Sequence, residues 1–460
     1  MHTQCNPQQL EFAGVEHRRV VAAFDAGTVS SDGGALLLAR TDQAIGLIDR
    51  LAQCFRDHRV ADLVEHSVRT LVGQRVLGIA AGYEDLNDHD ALRKDPLWGA
   101  AIGKLTPKRR DCAALAGKST LNRLEWARAS GTTRYQRIEI DTAAIERLFV
   151  ALFLEAHTAA PEEIVLDLDA TDDPLHGNQE GRFFHGYYDH YCYLPLYIFC
   201  GRHLLSATLR PANIDGAAGA KEEVERLVAQ IRERWPETRI ILRADSGFAR
   251  EALMGWCEGH HVEYVFGLAR NQRLEAWLAP TLARVGERVT AEGRAGREFA
   301  EQSYRTRDSR SRARRGIGKA QVTLLGSNPR FVVTSLSVTA WEARALYEDL
   351  YCARGEMENR IKEAQLELFA DRTSSHAFHT NQLRLWFSSF AYTLIEALRR
   401  LGLQETQFAR ASTNRIRLCL LKVGAVITVS VRRVKVALSS AYAWQAEFLT
   451  AFESVSAAAR

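Results

Sequence analysis

The spacing of apolar side chains changes character near residue 160. Before that point, apolar positions such as Leu71, Val76 and Ile79 recur at intervals typical of helices. The spacing predicts a helical N-terminal region over residues 1–160. Its basic segment KLTPKRR, from Lys104 to Arg110, makes DNA binding or oligomerisation the expected role of this region.

From Pro161 onward, short apolar runs alternate with an amphipathic helical pattern. Extended segments are predicted at IVLDLDA, YCYLPLYIF, HLLSATLR, RIILRAD and VEYVFGL. Helices are predicted at AKEEVERLVAQIRERW and AREALMGWCEG. Three strands followed by alternating helices and strands favour an α/β core with mixed strand pairing over residues 161–270.

This alternation stops at residues 271–338, which we interpret as a β-rich, basic insertion into the core. The segment contains a short predicted helix and a predicted hairpin, AQVTLLGSNPRFVVTSL, that turns at Gly326 to Pro329. A long helix with Thr339 as its N-cap then carries Glu358, and residues 339–400 form the second part of the predicted core. Another apolar-faced helix beyond Ser374 predicts a helical C-terminal region, but the pattern assigns no elements within the basic residues 401–460.

Composition places the chain among globular proteins outside the membrane. Hydrophobic residues make up 46% and charged residues 25%, enough for a sizeable core. The apolar runs near Leu385 and Val423 are too short or too interrupted to span a bilayer, and the N-terminus lacks the pattern of a signal peptide. Eight cysteines without a C-x-x-C pair indicate reduced thiols in a cytosol rather than a zinc ribbon or disulfide framework.

The formal net charge is only +4, but basic residues are concentrated in particular segments. The segment RTRDSRSRARRGIGK, from Arg305 to Lys319, contains one acidic residue among many basic ones. Such a run either neutralises DNA phosphates or forms a solvated loop, and the sequence weighs these alternatives equally. The candidate DNA contacts in it are Arg310, Arg312, Arg314, Arg315 and Lys319.

Acidic residues end two of the predicted strands and a third acid lies on the long helix. Asp167 and Asp169 end one strand on the same face, Asp245 ends another, and Glu358 is the helical candidate. Two-metal phosphoryl transfer needs carboxylates that converge, because hard cations such as Mg²⁺ prefer oxygen ligands. A strand-end Asp is also a common turn former, and this reasoning leaves the choice between Asp167 and Asp169 open.

Three blocks of the sequence resemble a known family. IVLDLDATDDPLHG, IILRADSGFAR and YCARGEMENRIKEAQ are similar to the acidic blocks of bacterial insertion-sequence DDE transposases, whose last acid lies in a Y-x2-R-x3-E signature. Tyr351, Arg354 and Glu358 match its spacing. The resemblance implies an RNase H-like core and selects Asp169, which a small residue and Thr171 follow.

The resemblance also implies residue roles. Asp169, Asp245 and Glu358 would be the catalytic residues and would bind two Mg²⁺ ions, for which Mn²⁺ is expected to substitute. Arg354 and Tyr351 would contact DNA, and for Arg354 a salt bridge to a helix acid such as Glu358 is an alternative of equal weight. The signature usually ends with Lys seven residues after the Glu, whereas this chain has Gln365 there and Lys362 four residues after it, so both are candidate DNA contacts.

The expected function is therefore that of a bacterial cytoplasmic, nucleoid-associated transposase. It would bind the terminal inverted repeats of its element and double-stranded target DNA as a homodimer or higher oligomer, and would cut and rejoin strands by cut-and-paste transposition. The alternatives are a DNA-binding protein that has lost catalysis, suggested by Gln365, and a metal-dependent nuclease without strand transfer.

Overall fold

A computed structural model describes residues 9–131, 133–305 and 311–459. The chain divides into two compact units, which we call the terminal unit (Met1–Ile140 with Phe390–Arg460) and the central unit (Asp141–Ser389). The five-part division expected from the sequence is finer than this, and its boundaries remain predictions. No helix in the described ranges combines the length and the apolar character that crossing a membrane would require.

The terminal unit begins with small strands and a set of helices. Its first elements are β1 (Leu10–Val15), β2 (Arg18–Ala22), β3 (Val29–Ser30), α1 (Ala35–Ile45), α2 (Leu47–Gln53), β4 (Phe55–Asp57), α3 (Val68–Ala80), α4 (His89–Leu92), α5 (Pro96–Ile102), α6 (Lys118–Glu125) and β5 (Ile138–Ile140). The central helix is α3, where Ser67 caps the N-terminus by accepting from the Thr70 N–H at 3.2 Å. Nearly every α3 side chain is buried, so the predicted helical region has its core here.

The central unit carries the predicted α/β core. Its elements are α7 (Thr142–Glu155), β6 (Glu163–Ala170), β7 (Asp173–Pro174), β8 (Phe183–His185), β9 (His190–Tyr193), β10 (Leu196–Cys200), β11 (His203–Thr208), α8 (Ala220–Arg234), β12 (Arg239–Ala244), α9 (Glu251–Gly259), β13 (Glu263–Leu268), α10 (Gln272–Glu292), β14 (Gly296–Tyr304), β15 (Arg314–Thr323), β16 (Gly326–Ser327), β17 (Arg330–Thr334), α11 (Ala343–Ala345) and α12 (Gly355–Lys362). Helix α13 (Phe378–Gly402) begins in this unit and ends in the terminal unit.

One large mixed sheet organises the central unit. Its strand order is β11-β10-β6-β12-β13-β17-β15-β14, with β16 paired to β15. The three middle strands β6, β12 and β13 run parallel, and the strands on either side of them pair antiparallel. This arrangement confirms the predicted mixed α/β fold class and is consistent with an RNase H-like core.

Both faces of the parallel strands are covered, which explains their almost uninterrupted apolar sequences. One face contributes Leu166, Leu168 and Leu242 to a core with side chains of α7, α8 and α9. The other face contributes Ile241 and Val265 to a second core with the helical segment after Ala343. The charged side chains within these buried strands include Asp167 of β6 and Arg243 of β12, which pair with each other.

The insertion extends the same sheet, because β17 pairs with the β13 edge and the β15–β17 hairpin turns where the sequence predicts. The prediction of a short helix in this segment was wrong, since α10 has 21 residues. Its apolar side chains Leu274, Leu278, Val285 and Val289 follow helical spacing and are all buried. Packing of these apolar side chains against β14 and β15 stabilises the helix over its whole length.

The helix that carries Glu358 is continuous from Ala343 to Glu367 but irregular. π-helical turns at Leu346–Tyr351 and Glu363–Glu367 enclose a 3₁₀ turn at Cys352–Arg354 and the regular helix α12. It begins after Glu342, whose carboxylate accepts from the N–H groups of Arg344 and Ala345, and not at Thr339. Single π turns inside helices frequently mark functional sites.

The C-terminal residues return to the terminal unit. They form α14 (Thr413–Ile416), β18 (Ala425–Val429), β19 (Val434–Leu438) and α15 (Gln445–Ala458). Strand β18 pairs with β3, and the Gly33 N–H donates to the Val423 carbonyl at 2.8 Å. The residues that the sequence pattern left unassigned thus complete a sheet with the other end of the chain.

Gly34 lies at the tightest part of this junction. A Cβ atom there would overlap the carbonyl oxygen of Leu420 and the Cα of Leu421, which are backbone atoms that cannot rotate away. We expect Gly34→Ala to destabilise the chain by about 1–3 kcal/mol or more through overpacking. The measurement is the thermal unfolding midpoint of the full chain.

Gly286→Ala is the matched control, because nothing lies within 4 Å of a Cβ at this helical position. It should raise the midpoint slightly, since Ala is the better helix former. Equal midpoints for Gly34→Ala and the parent would contradict the close approach of the two segments.

Candidate active site

Parallel pairing of β6 and β12 brings two of the candidate acids together. In the ladder, Leu168 is the partner of Ala244, so the next residues on each strand, Asp169 and Asp245, stand side by side at the carboxyl ends. Adjacent strands lie about 4.8 Å apart. Ligand sites of α/β sheets are commonly at this edge.

Asp245 follows β12 directly and shapes the turn after it. Its Oδ1 accepts from the Gly247 N–H at 2.8 Å, which makes Asp245 the cap of a 3₁₀ turn at Ser246–Phe248. Phe248 is buried in the core beneath that turn. The Ser-Gly-Phe sequence therefore fixes the carboxylate at the strand end by local hydrogen bonding and packing.

Asp169 lies in a largely buried, acidic environment. Burial raises the pKa of its carboxyl to about 7; the Arg354 charge lowers this pKa, and the charges of Asp245 and Glu358 raise it further. Its side chain is only 17% exposed. The three predicted acids are thus close enough to influence one another, and their mutual repulsion would be relieved by a cation.

Asp167 points to the same face of β6 but has a different environment. It is 3% exposed and accepts two hydrogen bonds from Arg243, at 2.5 Å to Nε and 2.7 Å to Nη2. Arg243 also donates to the Leu350 carbonyl at 2.5 Å. Asp167 is therefore one half of a buried ion pair, while Asp169 remains beside the other acids.

The sequence analysis did not identify Arg243, although a signal for it exists. Strand alternation places Arg243 on the same face as Asp245, just as it places Asp167 with Asp169. If β6 and β12 are adjacent and in register, Arg243 must face Asp167. The sequence alone does not give the register between β6 and β12, so it could not pair Arg243 with Asp167.

Glu358 joins the site through Arg354. The Arg354 Nη2 donates to Glu358 Oε1 at 2.5 Å, and its Nη1 lies 3.8 Å from Asp169 Oδ1. Arg354 and Glu358 are four residues apart on one helix, a spacing that brings their side chains together across one turn. The guanidinium therefore provides positive charge beside two of the three acids.

Tyr351 lies next to Asp245. A Cβ atom on Gly267 would come within 2.7 Å of the Tyr351 hydroxyl and 2.8 Å of the Ser246 nitrogen, so only glycine leaves room for this approach. The π-helical turn that ends at Tyr351 shifts the helix register just before Arg354. All three residues of the signature thus face the strand ends.

Lys362 and Gln365, the two candidates for the last signature position, differ in environment. Lys362 is exposed, and the described part of the chain offers it no hydrogen bond or ion pair. Gln365 donates from Nε2 to the Asp172 carbonyl at 3.0 Å. Gln365 therefore ties the helix to the loop after β6, and Lys362 is the one with its charge available.

Arg314 was predicted to contact DNA, but the structure places it inside the central unit. Its side chain is 2% exposed, and it pairs with Glu251 and Glu258 of α9 at 2.7 Å each. A guanidinium held this way has no surface available for a phosphate. The acids that neutralise it come from more than fifty residues away, so the charge run alone could not reveal them.

The other candidates in the basic segment are spread among several environments. Arg312 pairs with Glu258, and Arg315 pairs with Glu301 at 2.8 Å while donating to nearby carbonyl oxygens. Lys319 is 9% exposed and forms no ion pair with a carboxylate of the described residues; its Nζ donates to Gln321 Oε1 at 2.8 Å. Arg310 lies outside the described residues. DNA contact by these residues remains a prediction.

No group of three or more His, Cys, Asp or Glu side chains in residues 9–131, 133–305 and 311–459 stands in an arrangement that could hold a metal ion. The donor chemistry of the acid site nevertheless suits a hard divalent cation, since all three candidate ligands are carboxylates. In this conformation Arg354 supplies the compensating charge beside Asp169 and Glu358.

The Asp167–Arg243 pair gives a stability prediction. Asp167→Leu should destabilise the chain by about 3–5 kcal/mol, because it leaves the Arg243 charge buried without its partner. Adding Arg243→Met should recover most of this loss, because the charge is then removed as well. Urea unfolding of the full chain measures both variants. A double variant as unstable as the single one would contradict the buried pair.

Comparison with known proteins agrees with this geometry. The family described as Transposase DDE domain group 1 matches residues 12–460, which includes all three acids and both units. No curated protein matches the chain. A match over nearly the whole length is decisive for membership, and the chain belongs to the DDE transposases of this group.

Proposed function

We propose that this transposase binds the terminal inverted repeats of its own element and cuts and rejoins DNA strands by cut-and-paste transposition. Asp169, Asp245 and Glu358 are the proposed catalytic residues and metal ligands. The observation that carries the proposal is the side-by-side placement of Asp169 and Asp245 at the carboxyl ends of β6 and β12, with Glu358 joined to Asp169 through Arg354.

The proposed cofactor is a pair of Mg²⁺ ions, which Mn²⁺ can replace. Bound ions would activate the attacking water or 3′-hydroxyl and stabilise the leaving oxygen. The raised pKa of Asp169, caused first by burial, supports a cation site, because a divalent ion favours the charged carboxylate. Asp167 is not proposed as a ligand, since Arg243 occupies both of its oxygens.

Arg354 has two roles in this proposal, one in the absence of metal ions and one in their presence. Without a metal ion its guanidinium compensates the charges of Asp169 and Glu358. With these acids bound to ions, its planar fork is available to hold a DNA phosphate through two hydrogen bonds. Tyr351, packed against Gly267 and beside Asp245, would contact the same strand at its backbone.

Lys362 is the proposed replacement for the lysine that the family signature places at position 365. Its charge is exposed on the helix that carries Glu358, whereas Gln365 is engaged with the Asp172 carbonyl. Binding as a homodimer or higher oligomer is part of the same proposal. An inactive DNA-binding protein and a nuclease without strand transfer are the outcomes that the cleavage experiment would distinguish from it.

Strand cleavage tests the acids. With Mg²⁺ and a duplex carrying the inverted repeats that flank its gene, the parent should cleave and join strands. Asp169→Asn, Asp245→Asn and Glu358→Gln should each lower the cleavage rate by roughly a hundredfold or more, because a lost metal ligand removes several kcal/mol of transition-state stabilisation.

Asp49→Asn and Glu292→Gln are the matched controls, since both acids lie at the surface in simple ion pairs. They should cleave at the parental rate. If Asp245→Asn or Glu358→Gln cut as fast as the parent, the assignment of the site would be wrong. Cleavage without joining would instead identify a nuclease, and binding without cleavage an inactive relative.

Metal binding can also be measured without catalysis. Mg²⁺ should raise the thermal unfolding midpoint of the DNA-free parent. When the free ion is about a hundredfold above its Kd, binding adds about 2.7 kcal/mol to the free energy of unfolding. Asp169→Asn should show little or no such rise, while Asp49→Asn should respond like the parent. An equal rise in Asp169→Asn and the parent would place the ion elsewhere.

A further inference from the structure

Three basic side chains share one face of the insertion, one on each of its three longer strands. They are Arg297 of β14, Lys319 of β15 and Arg330 of β17, which we call the basic strip. Lys319 and Arg330 are direct partners across the β15–β17 ladder, and Arg297 is the partner of Gln321, two residues beyond Lys319. Side chains two apart on a strand point to the same side, so the three form one row.

This row is electrostatically unfavourable by itself. Like charges directly opposite in a sheet destabilise it, and Lys319 is 9% exposed. Burial lowers the pKa of Lys319, and the charges of Arg297 and Arg330 lower it further. Among the described residues the strip has one carboxylate partner, Glu348, which lies 2.7 Å from Arg297.

Several other arginines of the insertion form ion pairs with acidic side chains. Arg284 and Arg288 of α10 share Glu298, at 2.7 Å each, and Arg314 and Arg315 are also paired with acids. Lys319 and Arg330 are therefore exceptions among the described basic side chains on the strands of the insertion, where Arg297, Arg314 and Arg315 are each paired with an acid. Arg330 is exposed and Lys319 lies largely buried beside it, so two positive charges with no paired acid among the described residues meet where a buried site opens to solvent, and such a site suits an anion.

The strip leads towards the acid site. Lys319 Nζ lies 5.2 Å from the centre of the Tyr347 ring, and that ring lies 5.5 Å from the ring of Tyr351. The Tyr351 hydroxyl in turn reaches Gly267 beside Asp245. At a rise of about 3.4 Å per nucleotide along a DNA strand, these steps span roughly three to five nucleotides.

We propose that Lys319 and Arg330, flanked by Arg297, bind consecutive phosphates of the DNA strand that enters the acid site. The proposed contact is to the phosphodiester backbone, which carries the negative charge of DNA and no sequence information. This inference rests on the proposed function and adds to it a positioning surface separate from the metal ligands.

Salt dependence of DNA binding tests the strip. The full-length parent and the variant Lys319→Gln/Arg330→Gln are titrated with a fluorescein-labelled DNA duplex of mixed sequence at several salt concentrations. Each lost phosphate contact should reduce the slope of log K against log salt by about 0.9. When salt is raised fourfold, the parent should therefore lose roughly tenfold more affinity than the double variant.

Arg284→Gln/Arg288→Gln is the matched control. It removes the same charge from the same insertion, but α10 packs against the opposite sheet face, through Ala320 and Phe331. It should keep the parental slope. Urea unfolding provides a second measurement: the strip variant should be as stable as the parent or more stable, since a like-charge contact is relieved, whereas a structural role would make it less stable.

A strip variant with the parental salt slope would overturn the inference, and so would a parent with no affinity for the duplex. If the control variant lost as much of the salt slope as the strip variant, the inference would also be overturned, because the change would then reflect net charge alone. The proposed function is judged separately by cleavage in Asp245→Asn, whose DNA-binding slope still reports on the strip.

Discussion

The parallel pairing of β6 with β12 is the constraint on which the site depends. It sets Asp167 opposite Arg243 and, one step later on the same face, Asp169 beside Asp245. The Asp167–Arg243 ion pair is buried and bidentate, so a slip of one residue would separate it and leave two uncompensated charges in the core. The pair that takes no part in the proposed chemistry therefore holds the acids in register.

A second constraint is the charge that collects where these strands end. Asp169 is mostly buried, with two further acids acting on it, and Arg354 provides the positive charge beside it. Because that arginine is four residues before Glu358 on one helix, its ion pair also orients the third acid. The irregular turns of this helix position Tyr351, Arg354 and Glu358 together towards the sheet, where Gly267 leaves the necessary space.

Much of this could be predicted from local pattern. The buried strands, the amphipathic helix α8 and the hairpin of the insertion follow from hydrophobic periodicity and turn residues, and strand-end acids are visible as such. Local pattern failed where a long-range partner decided the outcome. The length of α10 depended on packing against β14 and β15, and the environment of Arg314 depended on Glu251 and Glu258 of α9.

The sequence by itself determined the fold class, the order of the three acids and, through its resemblance to a family, the preference for Asp169. It could not distinguish Asp169 from Asp167 physically, because two residues on one strand face are equivalent until the neighbouring strand is known. The tertiary structure gives the two aspartates different surroundings by placing Arg243 against Asp167, and the catalytic role of Asp169 stays a prediction. It likewise separated arginines paired with acids from Lys319 and Arg330, which have no ion pair among the described residues, because ion pairs depend on distance in space and not on separation along the chain.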